Sequence, residues 1–162
     1  VSLDAGVIYK GYHSDAARTH AVGEVSEEAK KLIQVTKECF FEGIKYAKAG
    51  NHLFDISGAI GRYAEERGYG VVRDLCGHGI GTALHEAPEI PNYEVGRKGV
   101  KLRPGMTLAI EPMINIGTYE VDWLDDDWTV VTRDGSLSAH YENTILITEG
   151  EPRILSLTCD NE

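Results

Sequence analysis

No apolar run in this 162-residue chain approaches the ~18 residues that a membrane-spanning helix needs, so no segment of it reads as a membrane span. Positive charge is scarce: 16 Lys and Arg stand against 26 Asp and Glu, for a formal net charge of −10. Nucleic acid is usually held through basic patches, so this balance argues against that class of partner. Cysteine is limited to Cys39, Cys76 and Cys159, with no CxxC pair. An odd, widely spaced set supports neither a zinc ribbon nor a disulfide framework. Reduced thiols in a cytoplasmic protein are expected instead. An initiator Met and a signal-like leader are also missing. The chain opens at Val1-Ser2-Leu3-Asp4, inside what reads as a strand, and the expectation is that an N-terminal portion of the natural protein precedes Val1.

What is present is ordinary for a soluble globular domain, 42% hydrophobic and 26% charged. The length suits one domain, residues 1–162, with a core of its own. Residues 1–22 read as a β-hairpin turning at Lys10-Gly11. Ser26 caps a helix whose apolar positions Leu32, Val35, Cys39, Phe40, Ile44 and Ala47 recur at helical spacing, with Gly50 as its stop. A second helix is predicted from near Asp55 to Arg67, stopped by Gly68. Strands are predicted at Val71-Val72, Met106 to Ile110, Trp128 to Thr132, Ser138 to Thr148 and Arg153 to Leu157. The proline-rich, charged stretch from Glu86 to Lys101 reads as a surface loop. Strands with two amphipathic helices between them predict an α+β fold, helices packed on a curved antiparallel sheet.

The hairpin allows a geometric derivation. With Lys10 and Gly11 as the two turn residues, Tyr9 faces Tyr12, Gly6 faces Asp15 and Asp4 faces Ala17. Opposed residues share a face, as do residues two apart on one strand. Asp4 and Asp15 are then diagonal neighbours within reach of a common ion. Carboxylates this close repel, and one pKa rises unless a cation holds both. Alone, either aspartate would read as a solvated strand residue. The remainder of the chain changes that balance. His78 lies among glycines, Gly77-His78-Gly79-Ile80-Gly81, which permits close backbone approach to a ligand. Glu111 ends an apolar strand, and Glu142 enters another. A charged carboxylate in such a place costs several kcal/mol unless it has a partner or a metal. Four carboxylates and one imidazole suit Mn, Fe, Co or Zn, and shared carboxylates would hold two such ions about 3–4 Å apart with a water or hydroxide between them.

Four segments carry a resemblance. They are Asp4 with the stretch Gly11 to Thr19, the run Gly77 to Pro88 (GHGIGTALHEAP), Ile110-Glu111-Pro112-Met113, and Ser138-Ala139-His140-Tyr141-Glu142. In order and spacing this set resembles the type I methionine aminopeptidases of bacteria, within the pita-bread metallopeptidase superfamily. The resemblance implies the pita-bread fold without its N-terminal part. It also implies removal of N-terminal methionine from peptides and nascent chains by two-metal activated attack of water. Asp4 would hold one metal, His78 and Glu111 the other, with Asp15 and Glu142 bridging. Glu111 would also accept a proton from the attacking water. His85 would hydrogen-bond the substrate near the scissile amide, and Trp128 would lie by the methionine pocket. The implied partners are peptide and nascent-chain substrates, with the ribosome as a further candidate.

The chain departs from the family in three places. Leu84 stands where many members have an aromatic residue, so the pocket it lines would differ in shape. His140 stands where many have Gln, and Asn143 where many have His. Two rival readings stay open: a proline-specific peptidase of the same superfamily, and an inactive fragment or binding module on this fold. His13, on the Asp4/Asp15 face, reads as a surface or core histidine, His20 and His52 as solvated, and Asp125-Asp126-Asp127 as a solvated acidic loop.

Overall fold

The computed structural model describes residues 1–157, and it begins with the expected hairpin. β1 (Ser2–Tyr9) and β2 (Tyr12–Thr19) pair antiparallel, with Tyr9 opposite Tyr12, Gly6 opposite Asp15 and Asp4 opposite Ala17. Lys10 and Gly11 both take positive φ, 51° and 83°, the two-residue turn whose twist matches that of paired strands. β1 is exposed along its whole length, whereas β2 turns Asp15 and Ala17 inward.

α1 (Glu27–Ile44) starts where Ser26 Oγ accepts the Ala29 N–H at 3.2 Å, and Glu27 and Glu28 favour the positive end of the helix dipole. It stops short of Gly50. The Tyr46 and Ala47 N–H groups bond back three residues, to Gly43 and Ile44, which tightens the last turn into its end. α2 (Leu53–Glu65) begins before the expected Asp55. The Asp55 carboxylate reaches back to accept the His52 N–H at 2.8 Å, so this residue closes the first turn from inside instead of opening it. No helix among the described residues is long and apolar enough to cross a membrane.

The chain then forms β3 (Gly70–Val71), β4 (Gly77–Gly79), β5 (Glu86–Ile90), β6 (Thr107–Ile110), β7 (Met113–Asn115), β8 (Val121–Trp123), β9 (Val130–Thr132), β10 (Ser138–His140), β11 (Asn143–Leu146) and β12 (Arg153–Ile154). A five-stranded sheet runs β12-β11-β6-β4-β5 and a three-stranded sheet β10-β7-β3, both antiparallel. Several sequence expectations are corrected. The predicted loop from Glu86 opens with a strand, and Pro88 is tolerated there because β5 lies at a sheet edge. The strand near Val71-Val72 is Gly70–Val71, and the last one is shorter than Arg153 to Leu157. The strand predicted from Trp128 starts at Val130, since Asp126 Oδ1 gathers the Trp128 and Thr129 N–H groups into a turn at 3.0 and 2.8 Å. The return from Ser138 to Thr148 is two strands, and neither pairs with β9, whose partner is β8.

That division builds a seam between the two sheets. β6 passes into β7 through Glu111-Pro112, and β10 into β11 through Tyr141-Glu142. Across it the chains stay side by side: Asn143 faces Ile110, the Tyr141 N–H donates to the Pro112 carbonyl at 3.2 Å, and His140 faces Met113. Glu111 and Glu142 therefore sit together at the seam. The helices pack on each other and against these sheets, α1 on β7 and β10, α2 on β3 and β5. One continuous core joins Leu32, Phe40, Ile56 and Ile60 of the helices to Leu108, Ile110, Ile114 and Ile145 of the strands. Each such side chain contributes about 1.5–3 kcal/mol by leaving water. Cys39 belongs to this core, and burial pushes its thiol up to about 12, so it packs as a small apolar group. Cys76 is also a free thiol, while Cys159 lies outside the described residues.

Candidate metal centre

The hairpin docks onto the seam through backbone. The Glu142 N–H donates to the Ala17 carbonyl at 2.9 Å, and the Ala17 N–H to the Glu142 carbonyl at 3.4 Å. Arg18 fastens the junction. Its Nη1 donates to the Ala17 and Glu142 carbonyls, its Nη2 to Asn143 Oδ1 at 2.6 Å, and its guanidinium lies 4.1 Å from the Tyr141 ring centre. Asn143 thus has a local function, bonding Arg18 and also accepting the Ser156 hydroxyl at 3.0 Å.

Docking brings Asp15 of β2 against Glu142, and His78, at the centre of β4, completes the group. One ligand atom from each of Asp15, His78 and Glu142 lies within 4.8 Å of the others, and all three residues are buried. His78 Nε2 is 3.9 Å from Asp15 Oδ2 and 3.5 Å from Glu111 Oε1. His78 Nδ1 lies 2.9 Å from the Gly79 carbonyl. A carbonyl only accepts, so the proton sits on Nδ1 and Nε2 keeps its lone pair for a ligand. Asn92 holds the Glu111 backbone by donating to its carbonyl at 3.1 Å. Asp4 is exposed on β1, outside the tight group, yet its charge raises the pKa of both Asp15 and Glu142.

The glycines around His78 have a different purpose from the one expected. A Cβ on Gly77 would run into the Ala109 carbonyl, and one on Gly79 into the Ala87 carbonyl. They allow β4 to fit between β5 and β6, and Gly77 also lines the cleft below.

The electrostatics of the group suit a bound cation. Burial, followed by the charges of Glu111, Asp15 and Asp4, pushes Glu142 up to about 10. Burial and then Asp4 raise Asp15, although the Ala16 N–H and His78 pull it back. Among the described residues, the ion-pair partners of Asp15 and Glu111 are imidazoles only. Glu142 Oε1 is buried with no hydrogen-bond partner. A buried oxygen left bare among like charges is costly, and a divalent ion removes that cost. The donor set, carboxylates with an imidazole, fits borderline or hard ions.

The centre opens into a cleft of about 1800 Å³. The His85 ring lies edge-on to His78, with centroids 4.4 Å apart. Leu84 packs over Gly6 on the cleft wall. Trp128 stands at the rim, 85% exposed. His140 also lines the cleft, with Nε2 at 3.5 Å from Glu111 Oε2. In the sequence His140 stands out only as a departure from a family pattern. Its position beside the acidic Glu142 on a short strand was the available signal. Asp125 to Asp127 form the acidic loop expected, with Asp126 occupied by local turn bonds.

The sequence pattern of metallopeptidase family M24 matches residues 1–149. The chain is 59% identical over 157 residues to a methionine aminopeptidase of Clostridium acetobutylicum, covering 97% of this chain and 63% of that protein. Among solved structures, it is similar to the methionine aminopeptidase of Thermotoga maritima, with a TM-score of 0.94 and 49% identity over 97% of this chain and 63% of that one. It is more distantly similar to the prolidase of Pyrococcus furiosus, with a TM-score of 0.75 and 28% identity over 97% of this chain and 41% of that one. The chain thus spans 63% of the length of either methionine aminopeptidase. Its architecture is the α+β pita-bread fold that these structures share.

Proposed function

The chain belongs to metallopeptidase family M24, and from that premise we propose that its protein is a methionine aminopeptidase, removing N-terminal methionine from peptides and nascent chains. The observation that carries this reading is the buried Asp15–His78–Glu142 group with its bare Glu142 Oε1. The order of identities adds to it, 59% and 49% to methionine aminopeptidases against 28% to a prolidase.

The ligand set of the proposal is Asp4, Asp15, His78, Glu111 and Glu142, holding two divalent ions, Co, Mn, Fe or Zn. Asp15 and Glu142 would be shared between the ions, Asp4 would serve one of them, and His78 with Glu111 the other. Bound ions supply Lewis acidity at the scissile carbonyl and make water nucleophilic near neutral pH. Glu111 takes up the proton released as water attacks. His85, at the mouth beside His78, donates a hydrogen bond to the substrate backbone. Leu84 and Trp128 border the space for the methionine side chain. Residues 1–162 belong to one catalytic domain of a cytoplasmic protein whose partners are peptides and nascent chains, with the ribosome as a candidate and no nucleic-acid contact through a basic patch.

The test is methionine release by the natural polypeptide that contains residues 1–162, supplied with Mn²⁺ or Co²⁺. Met-Ala-Ser should be cleaved far faster than Leu-Ala-Ser. An apolar pocket alone separates similar side chains by only about 1–3 kcal/mol, so a larger preference reports shape at Leu84 and Trp128. Faster cleavage of Xaa-Pro peptides would assign the site to proline-specific chemistry.

A further inference from the structure

His140 has a buried ring nitrogen with nothing to bond: Nε2 is shut off from solvent and lacks a hydrogen-bond partner. It lies 3.5 Å from Glu111 Oε2. The other oxygen, Oε1, lies 3.5 Å from His78 Nε2, so the Glu111 carboxylate is held between two imidazoles.

The backbone beneath His140 is fixed on both edges. Its N–H donates to Thr19 Oγ1 at 2.8 Å, and the Thr19 hydroxyl donates to its carbonyl at 3.0 Å. With its one proton used there, Thr19 Oγ1 can only accept from Ser2 Oγ, 2.8 Å away. On the opposite edge His140 pairs with Met113, two residues past Glu111. The strand that carries Asp15 thus anchors His140, and His140 faces Glu111.

We propose that His140 is the positioning residue of Glu111. Its Nε2–H donates to Oε2, which commits Oε1 to the His78 side and fixes the oxygen that Glu111 offers as a ligand. The inference rests on the metal-site reading above. A ligating carboxylate is commonly held by a hydrogen bond to its second oxygen, and such outer partners matter about 10–100-fold in metal affinity or activity. The contact closes from 3.5 Å to the shorter span of a charge-assisted bond. Nothing else in reach of the described residues satisfies the nitrogen.

The experiment is calorimetric titration of the chelator-treated chain with Mn²⁺ for the unaltered sequence and for His140→Gln, His140→Asn and His140→Leu. The Gln side chain keeps an N–H at a reach like that of Nε2, so this variant should retain the affinity of the unaltered chain. The Leu variant, which fills the space without a donor, should bind about 10–100-fold more weakly. The Asn amide stops a methylene short and should behave like Leu. A Leu variant with unchanged affinity, or a Gln variant as weak as Leu, overturns the proposal. Should the Leu variant not fold, the Gln and Asn variants decide, and equal affinities overturn it. An unaltered chain that binds no Mn²⁺ fails before any variant is compared, and that result overturns the metal-site reading itself.

Discussion

The Thr144 hydroxyl closes a ring on the backbone of Asp15: it accepts the Asp15 N–H at 2.9 Å and donates to the Asp15 carbonyl at 3.0 Å. Both residues are buried, so this one side chain satisfies two main-chain groups that water cannot reach. It also sets the hairpin against β11 at the level of the Asp15–His78–Glu142 group.

Thr144→Val should therefore destabilise the chain by roughly 1–3 kcal/mol for each group left unbonded. Thr144→Ser should recover most of the loss. Urea denaturation of the two variants beside the unaltered chain checks this, with equal midpoints for Val and Ser as the contrary outcome.

The raised Glu142 carboxyl predicts a pH dependence of the metal-free fold. Its folded pKa is pushed up to about 10 by burial and then by Glu111, Asp15 and Asp4, well above the ordinary carboxyl value. Between those two values the native state holds a proton that the unfolded state has lost. Stability then falls as pH rises, by up to about 1.4 kcal/mol per pH unit for each proton so held. Asp15 is raised as well and acts in the same direction. The chelator-treated chain should melt at a higher temperature at pH 5 than at pH 8, and Glu142→Gln should flatten the trend. Greater stability at pH 8 would contradict the electrostatic account.

Gly77 and Gly79 separate a packing role from a ligand-approach role. Their Cβ positions collide with the Ala109 and Ala87 carbonyls, whereas a Cβ on Gly81 comes no nearer to a neighbour than 3.5 Å, to the Glu86 carboxylate. Gly77→Ala and Gly79→Ala should cost about 1–3 kcal/mol or more, and Gly81→Ala little. Thermal melts of the metal-free variants test this, because a role confined to ligand approach would leave all three unchanged.

Glu111→Ala and His85→Ala should differ. The first removes a proposed ligand and the group that takes up the proton, so Mn²⁺ affinity and methionine release fall together. The second should leave Mn²⁺ affinity intact and lower turnover only, since His85 packs against the His78 ring and is not in the ligand group. An emptied site in His85→Ala would contradict the assigned roles.

How far the sequence could be read depended on local rules. The hairpin register was legible because a two-residue turn at Lys10-Gly11 leaves no freedom in the pairing, and it places Asp4 diagonal to Asp15. Glu111 and Glu142 stood out as carboxylates interrupting apolar strands. The seam itself was not legible. Strands as short as β7 and β10 have too few residues to show a period of two, so the separate fates of Ser138–His140 and Asn143–Leu146 left no mark in the pattern. β5 was hidden by its proline, which only an edge position permits. The glycines beside His78 were legible as close approach, but sequence does not say that the approaching group is a neighbouring strand. His140 was visible as a residue, yet its proximity to Glu111 depends on a pairing between β7 and β10 that only the fold supplies.

In the proposed function, Asp4, Asp15, His78, Glu111 and Glu142 together hold two divalent ions. Titration of the chelator-treated chain with Mn²⁺ or Co²⁺, followed by calorimetry, tests this most directly. Saturable uptake of two ions per chain is expected, with release of protons, since Glu142 must ionise to ligate. Loss of both sites is expected in Asp15→Asn and in Glu142→Gln. A folded chain that takes up neither ion, or uptake unaffected by these two substitutions, would contradict this assignment.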